Sequence, residues 1–150
     1  MERLAIRLPA LTRGRVLDLG CGEGRFLPPG GIGVDLDVER LRVARPRSSL
    51  LVRGDARHVP FASASVDTVY AHRMLNDTGD VEGVLAEIAR VLRPSGRLLV
   101  LTRARASEGD RLDRANGTWR LRRHFARVRA EPDPADERAA LFVADGPRSS

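Results

Sequence analysis

Short apolar runs alternate with mixed segments through the first two thirds of the chain. Each run is bounded by glycine, proline or charged residues. Runs that are apolar at consecutive positions are typical of strands buried on both faces, as in a parallel sheet. The pattern predicts strands over residues 15–19, 32–35, 50–53, 66–70 and 97–101 of a doubly wound α/β fold.

Helical spacing is clearest just before the last of these strands. Apolar residues recur there at Val81, Val84, Leu85, Ile88, Val91 and Leu92. Asp80 suits the N-cap of such a helix, and Pro94 follows its end. We therefore predict a helix over 81–92 and a turn at 94–96. A shorter helix is predicted over 37–44, and a short amphipathic helix within 1–14, broken by Pro9 and closed by Gly14.

The pattern weakens after residue 103. Segments 126–130 and 139–144 have strand character, and Pro132, Asp133 and Pro134 separate them. They are expected to pair as an antiparallel hairpin over about 126–144, with 146–150 as a frayed tail. With no internal repeat, the chain is predicted to be one domain over 1–150.

The amino-acid composition does not change the predicted fold. All 26 basic residues are arginine, and the net charge is +6. Basic residues are densest between Trp119 and Arg129, which we interpret first as a solvated face and second as a surface for an anionic substrate or nucleic acid. The single cysteine, Cys21, fits a reducing compartment, so a cytoplasmic location without a membrane span is expected.

Candidate chemistry lies at the carboxyl ends of the predicted strands. Gly20, Gly22 and Gly24 follow the first strand, Asp35 ends the second and Asp55 follows the third. Ligands of doubly wound sheets bind at these ends, where a carboxylate can accept both hydroxyl hydrogens of a ribose. Asp55 suits an exocyclic amine such as that of adenine. Asp35 as a helix cap and Asp55 as a turn residue remain alternatives.

The glycine spacing distinguishes between cofactors. Dinucleotide-binding turns use G-x-G-x-x-G and hold a pyrophosphate. This chain has G-x-G-x-G with Glu23 inside the turn. Because an anion there would repel a pyrophosphate, the turn and Asp18 favour a ligand with a cationic centre, such as S-adenosylmethionine, over NAD.

These segments resemble those of a known family, the class I S-adenosylmethionine-dependent methyltransferases. The similar segments are 16–24, 33–37, 54–56, 59–61, 65–69 and 86–98, within a core resemblance over 15–102. The nearest subgroup contains small-molecule and quinone-biosynthesis-type methyltransferases. The resemblance implies a seven-stranded, Rossmann-like sheet of order 3-2-1-4-5-7-6 with a C-terminal antiparallel hairpin.

The resemblance also implies roles for individual residues. Those expected at the cofactor are Asp18, Gly20, Cys21, Gly22, Asp35, Leu36, Asp55, Ala56 and Tyr70. Asp18 would lie near the amino group, Asp35 at the ribose, and Asp55 at the adenine amine. His72 and Arg73 would face the methyl donor and the substrate as candidate catalytic residues. No metal site is expected.

The chain also departs from the family pattern. Only a short connector separates Gly24 from Gly33, so the helix usual there is reduced to about a turn. Asn76 and Asp77 stand where the subgroup often has histidines, and the N-terminal lid is nearly absent. A homo-oligomer or a large substrate would then cover the site.

The predicted reaction is methyl transfer to a small-molecule acceptor. The alternatives are a non-catalytic cofactor-binding scaffold completed by a partner, a methyltransferase acting on RNA or protein, and a nicotinamide-dependent oxidoreductase.

Overall fold

Seven strands form one mixed sheet in the computed structural model, which describes residues 6–48, 50–72, 74–103, 110–134 and 136–149. They are β1 (Val16–Leu19), β2 (Ile32–Asp35), β3 (Leu51–Arg53), β4 (Val66–His72), β5 (Leu92–Arg103), β6 (Phe125–Asp133) and β7 (Asp136–Pro147). The order is β3-β2-β1-β4-β5-β7-β6, and only β7 runs antiparallel to its neighbours. The predicted fold class and strand order are confirmed.

Within the described ranges, four helices and one 3₁₀ turn accompany the strands. They are α1 (Leu8–Leu11), α2 (Val38–Ala44), the 3₁₀ turn (Leu75–Asp77), α3 (Val81–Val91) and α4 (Gly117–Arg122). An aspartate is the N-cap of each of the two longest helices, α2 and α3. The Asp37 side chain accepts from Glu39 N at 2.9 Å, and the Asp80 side chain accepts from Gly83 N at 2.9 Å. Each carboxylate satisfies a backbone donor that the first helical turn leaves open.

Apolar side chains cover both faces of the sheet. The larger cluster lies under α3 and α4, whose buried residues include Val84, Ile88 and Leu121. The smaller cluster is formed by Leu8, Val16, Tyr70, Leu99, Leu101, Leu141 and Val143. Leu11 and Phe26 pack against this smaller cluster. The second face is therefore covered by the N-terminal segment and a loop residue, without a long helix among the residues described.

The predicted N-terminal helix lies partly outside the described residues. Among those described it corresponds to α1, and Pro9 lies in the first turn. A first-turn residue has no intrahelical partner for its backbone N–H, so proline is tolerated there.

Several predicted element ends also differ. Leu92 begins β5 instead of ending α3, and the predicted turn at 94–96 is a bulge inside β5. Pairing there passes from Val66–Leu92 directly to Thr68–Arg97. The hairpin is longer than expected, because β7 pairs as far as Pro147 with Phe125. Gly146 and Pro147 thus belong to a strand and not to a tail.

The connector between β1 and β2 is short, as expected. Residues 20–31, all of which are described, form isolated turns, such as Gly24 N donating to Cys21 O at 2.9 Å and Gly31 N donating to Pro28 O at 2.9 Å. Chain order reverses beside this connector, because β2 and β4 flank β1. That reversal opens a crevice at the carboxyl ends of the strands.

Candidate functional site at the carboxyl ends of the strands

The glycine turn after β1 has a backbone that few other residues adopt. Gly20, Gly22 and Gly24 have φ values of 72°, 54° and 75°. The turn is held to β2, since Gly20 N and Cys21 N donate to Val34 O at 2.7 and 3.0 Å. A Cβ on Gly20 would also lie 2.6 Å from the Cβ of Met74. Glycine is required there by torsion and by packing.

Asp35 connects the end of β2 to this turn. Its Oδ2 accepts from Gly22 N at 2.8 Å, and its Oδ1 accepts from Asp37 N at 2.8 Å. Asp37, not Asp35, caps α2. Each carboxylate oxygen has a second lone pair, so Asp35 can still accept from a ligand.

Burial favours the neutral forms of two groups beside the turn. Asp18 in β1 is 2% exposed, and burial, followed by the nearby charge of Asp35, raises its pKa to about 7. Burial likewise raises the pKa of the Cys21 thiol to about 12. A cation bound beside Asp18 would favour its ionised form, whereas Cys21 offers the site a thiol and not a thiolate.

Asp55 is paired within the site. The guanidinium of Arg57 donates to both of its oxygens, at 3.1 Å from Nε and 2.7 Å from Nη2. This hydrogen bonding lowers the pKa of Asp55 to about 2. Asp55 is therefore ionised at neutral pH, and an adenine amine would have to share it with Arg57.

A cleft of about 690 Å³ joins these groups. Of the predicted site residues, it is lined by Gly20, Cys21, Gly22, Asp35, Leu36, Asp55, Ala56 and His72. Arg73 lies outside the described residues. Asp18 lies in the strand leading to the turn and is not among the lining residues.

Tyr70 is placed away from the cleft. It is 2% exposed within the smaller apolar cluster, and its hydroxyl is 2.6 Å from Thr12 Oγ1. Tyr70 is therefore not among the residues that line the cleft, and its contact with the cofactor stays a prediction. In β4, His72 is the residue that reaches the cleft.

The cleft has further lining residues. Glu23, Asn76 and Asp77 stand out in the sequence, whereas Arg25, Phe26, Arg40, Arg57, Met74 and Thr78 carry no signal there. Phe26 lies in the short connector, and its ring centroid is 4.5 Å from that of His72. Side-chain contacts between separate loops have no periodicity, so no pattern could have predicted them.

The arginine cluster near α4 is not wholly a solvated face. Arg120 is 7% exposed and donates to Glu82 at 2.9 Å and to Asp110 at 2.8 Å. His124 Nε2 is 2.7 Å from the other oxygen of Glu82. These residues join α4 to the start of α3, so Arg120 serves the fold. Arg122, Arg123, Arg127 and Arg129 remain exposed.

In the described part of the chain, the histidines, the cysteine and the carboxylates form no group placed to hold a metal ion. None of the helices in the same ranges has the length and apolar character that crossing a membrane requires.

Comparison with known proteins agrees with this geometry. The family described as "Methyltransferase domain" matches residues 17–100. The chain is 33% identical over 127 residues to malonyl-[acyl-carrier protein] O-methyltransferase of Enterobacter lignolyticus, covering 79% of this chain and 49% of that protein. It is 37% identical over 92 residues to demethylmenaquinone methyltransferase of Corynebacterium kroppenstedtii, covering 57% and 40%. The matched part thus spans half or less of these relatives.

A solved structure shares the fold over nearly the whole chain. It is a methyltransferase from Haloferax volcanii in complex with the Trm112 methyltransferase activator, with a TM-score of 0.79 and 20% identity. The match covers 99% of this chain and 89% of that one. From the family match, its extent and the sheet order, the chain belongs to the class I S-adenosylmethionine-dependent methyltransferases.

Proposed function

We propose that this chain transfers a methyl group from S-adenosylmethionine to a small-molecule acceptor. The observation that carries the proposal is the Asp35 carboxylate, which accepts from Gly22 N and opens on the cleft. A carboxylate held against the glycine turn at a strand end is suited to the two hydroxyls of a ribose.

The polar groups in and beside the cleft fit this cofactor. Asp35 supplies acceptors for a ribose, and Asp18, buried in the strand before the turn, supplies a carboxyl whose ionised form a neighbouring cation would stabilise. Leu36 is 60% exposed, which leaves an apolar surface for an adenine ring. When bound, S-adenosylmethionine supplies an electrophilic methyl group.

The chain's own residues then have two tasks. They hold donor and acceptor in line, and they keep water from the reacting atoms. Phe26 and Met74 give the wall near His72 an apolar character. His72 is the candidate for accepting a proton where the acceptor must lose one.

The cofactor is tested by calorimetric titration with S-adenosylmethionine, S-adenosylhomocysteine and NADH. We expect one-to-one binding of the first two and no heat from NADH. Binding of NADH alone would overturn the cofactor assignment. Binding without methyl transfer to any acceptor in the screen below would favour the non-catalytic alternative.

Two neighbouring aspartates provide a matched pair of variants. Asp35→Asn should weaken S-adenosylmethionine binding by about tenfold or more, because a hydrogen bond to a charged group contributes roughly 1.5–3 kcal/mol. Asp37→Asn should leave binding unchanged, since asparagine caps a helix as well as aspartate does. Equal effects of the two substitutions would place the site elsewhere.

The first acceptors to screen follow from what the relatives methylate. These are a malonyl thioester on acyl carrier protein and a demethylmenaquinol, with a short RNA as the competing class. Release of S-adenosylhomocysteine with each acceptor measures the reaction. Release with RNA alone would overturn the small-molecule proposal.

A further inference from the structure

The connector that replaces a helix brings an aromatic ring to His72. The rings of Phe26 and His72 lie 4.5 Å apart between centroids, at an interplanar angle of 75°. This T-shaped arrangement is one of the favoured geometries of aromatic pairs. Both side chains line the cleft, so the contact is part of its wall.

Phe26 is itself fixed from two other directions. Its side chain packs against the smaller apolar cluster, which includes Leu8 and Tyr70. The guanidinium carbon of Arg25 lies 5.5 Å from the centroid of the same ring, within the range of a cation–π interaction. A ring held by the sheet and by its neighbour gives His72 a rigid surface.

His72 needs such a surface because of its position. It is the last residue of β4, and its side chain is only partly buried. Proton transfer requires one defined orientation of the imidazole, and an edge-to-face contact favours one rotamer.

We propose that Phe26 is a positioning residue that orients the imidazole of His72 in the cleft. The proposal deepens the function proposed above, since it concerns the group that would accept the acceptor's proton. It also gives the connector a role although residues 20–31 form no helix: Phe26 both covers the sheet and contacts His72.

The test uses the imidazole resonances of the whole protein. The chain has only three histidines, so His58 and His124 serve as internal references. Phe26→Leu keeps an apolar side chain on the cluster but removes the ring, and Phe26→Tyr keeps the ring as the matched control. Proton–carbon correlation spectra are recorded for each variant, with His72→Gln to assign the signals.

We expect the ring-current displacement of the His72 signals to be lost in Phe26→Leu and restored in Phe26→Tyr, with His58 and His124 unchanged. The rate at which diethyl pyrocarbonate modifies His72, measured by mass spectrometry, should rise several-fold in the leucine variant only. A contact without a positioning role would remove the ring-current displacement but leave the modification rate of His72 unchanged, and that result would overturn the proposal.

Unchanged His72 signals in Phe26→Leu would overturn the proposal. If that variant does not fold, the wild-type protein provides the test. The proposal requires a nuclear Overhauser effect between the rings of Phe26 and His72, and the absence of that effect would overturn it. Failure of the proposed function would look different: S-adenosylhomocysteine would neither bind in calorimetry nor protect His72 from modification, whatever the ring contact shows.

Discussion

Asp18 is a residue at which stability and ligand binding oppose each other. Its carboxyl is buried in β1 and its pKa is about 7, against 3.8 for an exposed aspartate. Between these two values the folded state holds a proton that the unfolded state has released. The free energy of unfolding therefore falls as the pH rises from about 4 to about 7, and this contribution is constant above that.

Asp18→Asn should remove this dependence. Above pH 7 the variant should be more stable than the wild-type protein. At about 1.4 kcal/mol per unit of pKa, the upper limit of this difference is about 4 kcal/mol, and the difference should vanish near pH 4. Cofactor affinity should instead be lower, and it should no longer rise with pH through 7. Urea unfolding and calorimetry at several pH values measure both, and a wild-type protein more stable than the variant at pH 8 would contradict the argument.

At the scale of elements, the start of α3 shows how one cap changes the effect of a glycine. Asp80 accepts from Gly83 N, and a Cβ on Gly83 would lie 2.2 Å from Asp80 Oδ2. Alanine in place of glycine usually stabilises a helix by about 0.5–1 kcal/mol. Here the new methyl group would displace the capping carboxylate, whose loss costs about 1 kcal/mol.

Gly83→Ala should therefore leave the stability of the wild-type chain nearly unchanged or lower it. In the Asp80→Ala background the same substitution should stabilise by about 0.5–1 kcal/mol. A double-mutant cycle measured by urea unfolding gives the coupling directly. Additive effects of the two substitutions would mean that the cap and the glycine are independent.

The sequence predicts which segments are helices and which are strands better than it predicts the residues at which they end. Apolar periodicity depends on local burial, which is why α3 and the five parallel strands were found. The end of β7 depends on its pairing with Phe125, and the bulge in β5 on its register with β4. Pairing joins residues far apart in the chain, so a local pattern does not contain it.

In the candidate site, too, local features are predictable and long-range contacts are not. The place of Asp35 at the cleft is predictable because the pattern shows where strands end. The Arg57 contact to Asp55 and the Phe26 contact to His72 are not, since each depends on where a loop side chain points. Tyr70 lies two residues before His72 and so on the same face of β4, but it is further from the carboxyl end of the strand and packs into the smaller cluster.

At the scale of the molecule, the two faces of the sheet are held in different ways. The face under α3 and α4 is covered by helices, whereas the other depends on the N-terminal segment. Arg97 joins that segment to the sheet: it donates to both oxygens of Asp145 at 2.6 and 2.9 Å, and to Leu11 O at 3.2 Å. The side chains of Arg97 and Asp145 are 9% and 13% exposed.

Arg97→Met should lower the free energy of unfolding by about 3 kcal/mol or more, because it leaves a buried carboxylate without its main partner. Adding Asp145→Leu should recover most of that loss. Arg42→Met provides the control, since the Arg42–Glu39 pair is 68% and 71% exposed and should change stability by less than about 0.5 kcal/mol. Urea unfolding measures all three, and hydrogen exchange at residues 8–12 should accelerate in Arg97→Met. Similar losses in Arg97→Met and Arg42→Met would show that the pair does not hold the N-terminal segment on the sheet.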